Sequence, residues 1–323
     1  MKTYYTSDLQ KGMSLKGETF AVKEAQLTET KAKKPYYRVI LIDKTGSING
    51  NIWGDSFGQV QKGALKAGKV VVIDATVDEY KGGLTLNIDR VSEVSEATLD
   101  EYIEGSDFDL DDLLGSLMGH IEKVEDTKIK AYLKSLFSDA DFALKFKTVP
   151  AAEYVHHSFR GGLMEHVLEM LDMSDALSKY YPEANFDIVT LGIILHDIGK
   201  LQELKVADTV VQRTPEGYLL GHIAMGYEFI ANTAKDYLSE EQMMLIKHII
   251  LSHHGSLEYG SPVVPSTIEA QIVSVMDSAS SQVRIVQKVV RKNKTREDNF
   301  SEWDNILKTK VYQTKQKEEL RLI

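Results

Sequence analysis

The stretch FDIVTLGIILHDIGK, residues 186–200, decides the fold of the second half of this chain. Its residues up to Ile198 are apolar on nearly every side of a helix, which is typical of a helix buried in a protein core. His196 and Asp197 interrupt the apolar run near its end. Burying an imidazole and a carboxylate is costly unless a partner compensates them, and a bound metal ion is one such partner. The pair therefore predicts a metal site completed by other histidines and carboxylates of the chain.

Composition restricts the chemistry of such a site. The chain has 323 residues and no cysteine, so disulfides and thiolate ligands are excluded and a metal must bind histidine and carboxylate. This length is enough for two domains. The N-terminus carries no apolar signal segment and no apolar run reaches the ~20 residues of a membrane span. We therefore expect a cytoplasmic protein with no membrane contact.

The net charge of −10 is unevenly distributed. Residues 1–95 carry 14 Lys and Arg against 11 Asp and Glu, and residues 284–323 carry 11 against 6. The segment between them holds the acidic excess, much of it in Glu96–Asp126, where 11 acidic residues accompany one lysine. Both ends are mildly basic, so the overall negative charge does not exclude a nucleic-acid ligand.

The N-terminal part is predicted to form five short strands separated by turns. The strands are Thr19–Glu29, Tyr36–Asp43, Ser47–Trp53, Val70–Glu79 and Leu84–Val91. Five short strands with hairpin turns are typical of a small closed barrel. Residues 36–53 (YYRVILIDKTGSINGNIW) resemble the central hairpin of OB-fold nucleic-acid-binding domains, through the turn 43–46, Ile48 and Trp53.

The OB-fold resemblance implies a surface that holds single-stranded nucleic acid. Candidates to stack on or clamp bases are Tyr37, Arg38, Trp53 and Phe57, and candidates to contact phosphates are Lys31, Lys33 and Lys34. Two alternatives remain at this point. The aromatic side chains could instead fill the barrel, and the lysines could belong to a solvated loop.

The rest of the chain has a helical pattern. Helices are predicted at 121–137, 139–146, 162–180, 186–200, 223–237, 240–252 and 266–290, with a small hairpin or flap at Leu201–Gly221. The expected fold class is multi-domain α+β, with a small N-terminal β-barrel followed by an all-α domain. The predicted boundaries are 1–95 for the barrel, 96–120 for an acidic linker and first helix, 121–292 for the helical domain and 293–323 for a basic tail.

Further histidines and one carboxylate stand at positions suited to metal binding. His253 and His254 end a predicted helix, His222 begins another, and Asp277 lies within an apolar helix where an unpaired carboxylate would be costly. Borderline divalent ions accept imidazole and carboxylate together, so Mn²⁺, Co²⁺, Fe²⁺, Ni²⁺ and Zn²⁺ are candidates and Mg²⁺ is disfavoured.

His166, the pair His196 and Asp197, and Asp277 form the pattern H…HD…D. This pattern resembles the signature of HD-domain phosphohydrolases, an all-helical family acting on phosphate esters. The resemblance implies two ions. The first would bind His166, His196, Asp197 and Asp277. Asp197 would bridge to a second, held by His222 with His253, His254 or both. Three-metal relatives carry a glutamate where this chain has Gly162, so a third ion is not expected.

The same resemblance suggests catalytic residues besides Asp197. Lys200, three residues after Asp197, would contact a phosphate oxygen, although a lysine at a helix C-terminus also complements the helix dipole. His157 and Arg160 would contact phosphate or donate a proton to the leaving oxygen, or would instead pack at the start of the following helix. Glu165 is expected at the surface.

The order of barrel and HD domain resembles that of YhaM-type 3′-5′ exoribonucleases. The segments that carry this resemblance are HHSFRGGLMEH (156–166), LHDIGK (195–200), LLGHI (219–223) and LSHHG (251–255). It implies hydrolysis of single-stranded RNA from the 3′ end to nucleoside monophosphates with two divalent ions, Mn²⁺ first among them. Single-stranded DNA is a second candidate substrate, and a homo-oligomer is compatible with the sequence.

Two other functions remain compatible with the sequence. The first is a small-nucleotide phosphohydrolase or cyclic-dinucleotide phosphodiesterase in which the barrel is regulatory. The second is an RNA-binding protein without enzymatic activity. The complete set of candidate ligands disfavours the second.

Overall fold

The computed structural model describes residues 2–80, 83–94, 101–102, 105–106, 108–152, 157, 159–207, 209–292 and 299–313. Most of the predicted acidic linker before residue 108 lies outside this range, as do residues 293–298 and 314–323 of the predicted basic tail. The chain divides into two compact units. The first comprises the described residues within 1–107 and 204–214, and the second comprises those within 108–203 and 215–323. The first unit therefore extends beyond the predicted boundary at 95 and takes in a later segment.

The first unit is a closed five-stranded barrel with the order β1-β2-β3-β5-β4, closed by pairing of β1 with β4. Its strands are β1 (Ser14–Glu29), β2 (Pro35–Asp43), β3 (Gly46–Trp53), β4 (Val70–Tyr80) and β5 (Gly83–Glu93). Alternate residues point inward, and Val39, Leu41 and Ile52 are fully buried among them. The predicted OB-fold barrel is confirmed, and each predicted strand is present with slightly longer bounds.

A short hairpin from the second half of the sequence belongs to the first unit. Strands β6 (Leu204–Ala207) and β7 (Val210–Arg213) pair antiparallel, so the predicted segment Leu201–Gly221 does contain a hairpin, although its residues from Pro215 onward are helical. Between them Thr209 is 2% exposed and its hydroxyl donates to the carbonyl of Gly68 at 2.9 Å. Sequence periodicity gave no indication of this partner.

The second unit is helical, as predicted. Its helices are α1 (Leu110–Lys123), α2 (Thr127–Ser138), α3 (Ala140–Thr148), α4 (Gly162–Leu177), α5 (Phe186–Leu195), α6 (Lys200–Glu203), α7 (Pro215–Thr233), α8 (Glu240–Ser252) and α9 (Ile268–Lys292). The predicted helix 121–137 is present as α2 but starts later than predicted, because α1 ends at Lys123 and a short turn separates the two helices. Asp126 caps α2 by accepting from the backbone amides of Lys128 and Ile129 at 2.8 and 3.0 Å.

Helix α5 occupies the centre of this unit, packing against α2, α4, α8 and α9. Seven of its ten residues are buried, which agrees with an apolar character on all sides. Gly192 allows the close approach of α8 and α9, since a Cβ there would lie 2.8 Å from Ile249 Cδ1 and 3.1 Å from Val273 Cγ2. The helix ends at Leu195, so His196 and Asp197 are held at its C-terminus inside the packed core. No described helix is both long and apolar enough to cross a membrane.

Candidate metal centre

The first group of candidate ligands lies where α4, α5 and α9 meet. His166 comes from α4, Asp277 from α9, and His196 and Asp197 from the end of α5. His166 Nε2 lies 3.3 Å from His196 Nε2 and 3.3 Å from Asp277 Oδ1, and His196 Nε2 lies 3.2 Å from Asp197 Oδ2. Two ligand atoms that each lie ~2.1 Å from one ion are about 3.0–3.4 Å apart. The observed spacings therefore fit a single ion bound by His166, His196 and Asp197, with Asp277 beside His166 as a further candidate ligand.

The second group surrounds the other oxygen of Asp197. Asp197 Oδ1 lies 3.5 Å from His222 Nε2 and 3.6 Å from His253 Nε2. The nitrogens of His222, His253 and His254 also lie within 4.8 Å of one another. The two oxygens of Asp197 thus face different ligand groups, as a bridging carboxylate requires.

Three buried atoms in this second group have no hydrogen-bond partner within the described residues. They are Asp197 Oδ1, His222 Nε2 and His253 Nε2. Leaving a buried polar atom unsatisfied typically costs about 1–3 kcal/mol, so three that converge on one position call for a compensating ligand. A divalent cation would compensate all three at once, and the histidine and carboxylate donors suit a borderline transition metal.

The backbone fixes the orientation of several rings through Nδ1. His196 Nδ1 lies 2.8 Å from the carbonyl of Ile193, His253 Nδ1 lies 2.8 Å from that of Ile250, and His254 Nδ1 lies 2.9 Å from that of Tyr259. A carbonyl can only accept, so each Nδ1 carries the hydrogen and each Nε2 keeps its lone pair. This arrangement is the one that metal-binding histidines require. His254 as well as His253 is therefore oriented for binding.

The pKa values of most candidate ligands also favour the binding of a cation. Burial lowers the pKa of His166 to about 4 despite its contact with Asp277, so its ring is neutral at pH 7. Burial likewise lowers the pKa values of His253 and His254. Burial would raise the pKa of Asp197, but Lys200 and His196 outweigh it and hold the pKa well below its usual range. Neutral imidazoles beside an ionised carboxylate are the forms that bind metal. Burial would lower the pKa of His196, but Asp197 outweighs it and raises that pKa, so a metal ion would compete with a proton for this ring.

Two glycines bring the ligand-bearing segments together. A Cβ on Gly199 would lie 1.9 Å from the backbone oxygen of His222, so only glycine lets the 196–200 segment touch α7. Within α7, Gly221 has φ +73° and ψ 157°, which interrupts the helix immediately before His222. L-residues with side chains rarely adopt this conformation.

The candidate catalytic residues occupy distinct positions around the centre. Lys200 Nζ lies 2.5 Å from Asp197 Oδ2, at the edge of the first group. Arg160 is partly buried just before α4. His157 is buried with φ +46°, its ring centroid 5.5 Å from that of His166 and its Nε2 3.4 Å from Glu169 Oε2. Burial lowers the pKa of His157 to about 4, so it is neutral at pH 7 and this placement does not support a role as proton donor.

One expectation for this region is wrong. Glu165 is only 6% exposed, because α4 turns it toward α9, where its carboxylate lies 3.9 Å from Arg284 Nη2. Sequence reasoning also missed Ser280 and Glu203, which contact His166 and His222 from outside, and Glu169, which contacts Ser280. Their spacing offered one weak signal, since Glu169 lies one helical turn after His166 and Ser280 one turn after Asp277.

The candidate nucleic-acid residues of the barrel divide between its two faces. Tyr37 and Phe57 pack against the barrel core and contact each other, with ring centroids 5.1 Å apart. Arg38 and Trp53 lie on the outer face, where Trp53 is 43% exposed. Tyr36, which sequence reasoning did not select, stacks on Trp53 at 5.0 Å.

The outer face continues into polar side chains and a basic turn. Trp53 Nε1 donates to Asn87 Oδ1 at 3.3 Å across the β3–β5 pair. Lys31, Lys33 and Lys34 are all exposed in the turn between β1 and β2, next to the strand end that carries Tyr36. We call Tyr36, Arg38 and Trp53 with these three lysines the outer face.

Comparisons with known proteins agree with this architecture. The family described as HD domain matches residues 163–281. The chain is 31% identical over 278 residues, 84% of its length and 85% of the relative's, to a protein of Halalkalibacterium halodurans named 3′-5′ exoribonuclease YhaM. It is 32% identical over 277 residues to the protein of the same name from Shouchella clausii, with the same coverage.

Among solved structures, the second OB-fold domain of replication protein A from Methanococcus maripaludis is similar to part of the chain. The identity is 22% and the TM-score 0.23, over 29% of this chain and 97% of that one.

Proposed function

Since this chain belongs to the family of YhaM-type 3′-5′ exoribonucleases, we propose that it is itself a metal-dependent exoribonuclease that shortens single-stranded RNA from the 3′ end. The products would be nucleoside monophosphates. The observation that carries the proposal is Asp197, whose two oxygens face two separate groups of candidate metal ligands in the HD domain. Single-stranded DNA would be a second substrate.

The proposed metal ligands divide into two groups that share Asp197. His166, His196, Asp197 and Asp277 would bind the first ion, and Asp197, His222, His253 and His254 the second. Mn²⁺ is the proposed ion, and Co²⁺, Fe²⁺, Ni²⁺ and Zn²⁺ are compatible with the same donors. Bound divalent ions supply Lewis acidity that neutralises the charge of the phosphate under attack.

The side chains around the ligands would orient the substrate. Lys200, held beside Asp197, would neutralise a non-bridging phosphate oxygen, and Arg160 would contact the same phosphodiester from the start of α4. Burial of His166, His196 and Asp197 lowers the local dielectric constant, which strengthens these electrostatic contacts. His157 would act by packing on His166.

The barrel would hold the strand that is being shortened. A flat pair of aromatic rings beside cationic side chains suits single-stranded nucleic acid, because every base can stack and every phosphate is anionic. The outer face provides both, with Tyr36 and Trp53 as the stacking platform and the lysine turn beside it.

The proposed activity is tested directly with a short 5′-labelled single-stranded RNA and Mn²⁺. We expect a ladder of products that shortens from the 3′ end and disappears with a chelator. Immediate release of the labelled 5′-terminal nucleotide would contradict hydrolysis from the 3′ end. Intact RNA together with hydrolysis of small nucleotides would contradict the exoribonuclease proposal. The latter outcome would support the small-nucleotide phosphohydrolase.

The platform is tested by Trp53→Ala. Base–aromatic stacking contributes roughly 1–3 kcal/mol per base, so we expect RNA to bind about 5–150-fold more weakly. Binding should be measured by fluorescence anisotropy in the Asp197→Asn background, which prevents hydrolysis. Tyr180→Ala, which removes a 66% exposed tyrosine of the helical unit, serves as the control and should change nothing. Equal affinities for Trp53→Ala and its parent would place the RNA elsewhere.

Point variants test the barrel more cleanly than its deletion does. Residues 204–214 pack in the same compact unit as the barrel, with Thr209 buried against Gly68. Removing residues 1–95 would therefore expose this hairpin as well as remove the outer face.

A further inference from the structure

Behind His166, away from the metal position, a chain of polar side chains runs from α9 back to α4. His166 Nδ1 lies 3.0 Å from Ser280 Oγ, and Ser280 Oγ lies 2.8 Å from Glu169 Oε2. The other oxygen of Glu169 pairs with Arg284. Ser280 is 4% exposed, so solvent does not compete for its hydroxyl.

We propose that Glu169 is a positioning residue that fixes the metal-binding tautomer of His166 through the hydroxyl of Ser280. This inference rests on the proposed metal centre and adds a residue that controls it. Among the ligands, His166 is unlike His196, His253 and His254, because a hydroxyl rather than a backbone carbonyl contacts its Nδ1. A hydroxyl can donate or accept, so it does not determine the tautomer by itself.

Glu169 determines which partner donates in the hydrogen bond between Ser280 and His166. A carboxylate paired with a guanidinium only accepts hydrogen bonds, so the single hydrogen of Ser280 must point to Glu169 Oε2. The oxygen of Ser280 is then available only as an acceptor, and His166 Nδ1 must donate to it. His166 Nε2 consequently keeps its lone pair toward His196 and Asp277, where the first ion would bind.

Replacing Glu169 with glutamine would reverse this direction. Arg284 has only donors, so it would hold the amide oxygen and leave the NH₂ group facing Ser280. That NH₂ group would donate to Ser280 and release the hydroxyl hydrogen, which could then be donated to His166 Nδ1, with the ring hydrogen on Nε2. A ring protonated at Nε2 cannot bind the ion there.

The two single substitutions and their combination therefore have an unusual order of effects. Glu169→Gln should weaken the binding of one ion by about 10–100-fold, the range seen when partners of ligand histidines are lost. Ser280→Ala should weaken it less, because the ring is then merely unconstrained. The double variant Glu169→Gln/Ser280→Ala should bind better than Glu169→Gln alone, because no hydroxyl remains to transmit the reversed bond.

Glu165→Gln is the matched control. It makes the same change on the same helix, and Glu165 also approaches Arg284, but at 3.9 Å. No hydrogen bond from Glu165 to Ser280 occurs among the described contacts. Its ion binding should equal that of the wild type.

The experiment is a calorimetric titration of the full-length chain and each variant with Mn²⁺, with circular dichroism to verify folding. Partial recovery of Mn²⁺ affinity in the double variant supports the proposal. If both residues had purely structural roles, the losses of affinity from the two substitutions would add. Glu169→Gln binding Mn²⁺ as tightly as the wild type would overturn it. If Glu169→Gln does not fold, unchanged affinity in Ser280→Ala would overturn it instead. Absence of Mn²⁺ binding in the wild type would overturn the metal centre itself, and this inference with it.

Discussion

Asp197→Asn is expected to lower the rate of RNA hydrolysis by on the order of 10³-fold, equivalent to about 4 kcal/mol of transition-state stabilisation. Asparagine keeps the shape of the side chain but offers one oxygen instead of two. One of the two ligand groups would then face an NH₂ donor, either at His196 or at His222 and His253. The substitution also removes the charge opposite Lys200.

Binding and hydrolysis must be measured separately for this variant. The rate is followed on 5′-labelled RNA at saturating Mn²⁺, and RNA binding by fluorescence anisotropy, which should be unchanged because the outer face is intact. Asp236→Asn, which changes an exposed aspartate in the turn after α7, is the control and should be fully active. Near wild-type hydrolysis by Asp197→Asn after removal of metal would rule out the shared-carboxylate centre.

Gly199→Ala is the second substitution with a large expected effect. Its Cβ would lie 1.9 Å from the carbonyl oxygen and 2.7 Å from the carbonyl carbon of His222, and 2.8 Å from the backbone nitrogen of Gly226. These are backbone atoms, which cannot rotate away as a side chain can. The part of α7 around His222 and Gly226 must therefore shift, at a cost of about 3 kcal/mol or more in the free energy of unfolding.

The same shift should reduce activity. The shift would displace the backbone of His222, which is a candidate metal ligand. A displacement of about 1 Å in an active site can cost about 100-fold in rate. Chemical unfolding and the RNA assay together measure both effects. Gly119→Ala in α1 is the matched control, since a Cβ there meets nothing within 4 Å and should stabilise the helix by up to about 1 kcal/mol. A Gly199→Ala variant as stable and as active as the wild type would show that α7 does not approach this segment so closely.

The sequence by itself determined the two-part architecture and the identity of the candidate ligands. The period of two in residues 36–53 and the all-apolar helix before His196 are local patterns, because each element sorts its own side chains between core and solvent. The absence of cysteine restricted the donors to histidine and carboxylate. One local signal was missed, the capping by Asp126 that separates α1 from α2.

Only the tertiary structure decided how those residues are arranged. Whether Trp53 pairs with Tyr36 or packs beside Tyr37 depends on which face of the barrel each strand position occupies. That Asp197 presents one oxygen to each ligand group depends on how α4, α5, α7, α8 and α9 pack. That Glu169 reaches His166 through Ser280 depends on the packing of α4 and α9. Ser280 lies 114 positions from His166 along the chain. Contacts over such separations are set by close packing between helices, which no periodicity within one helix can specify.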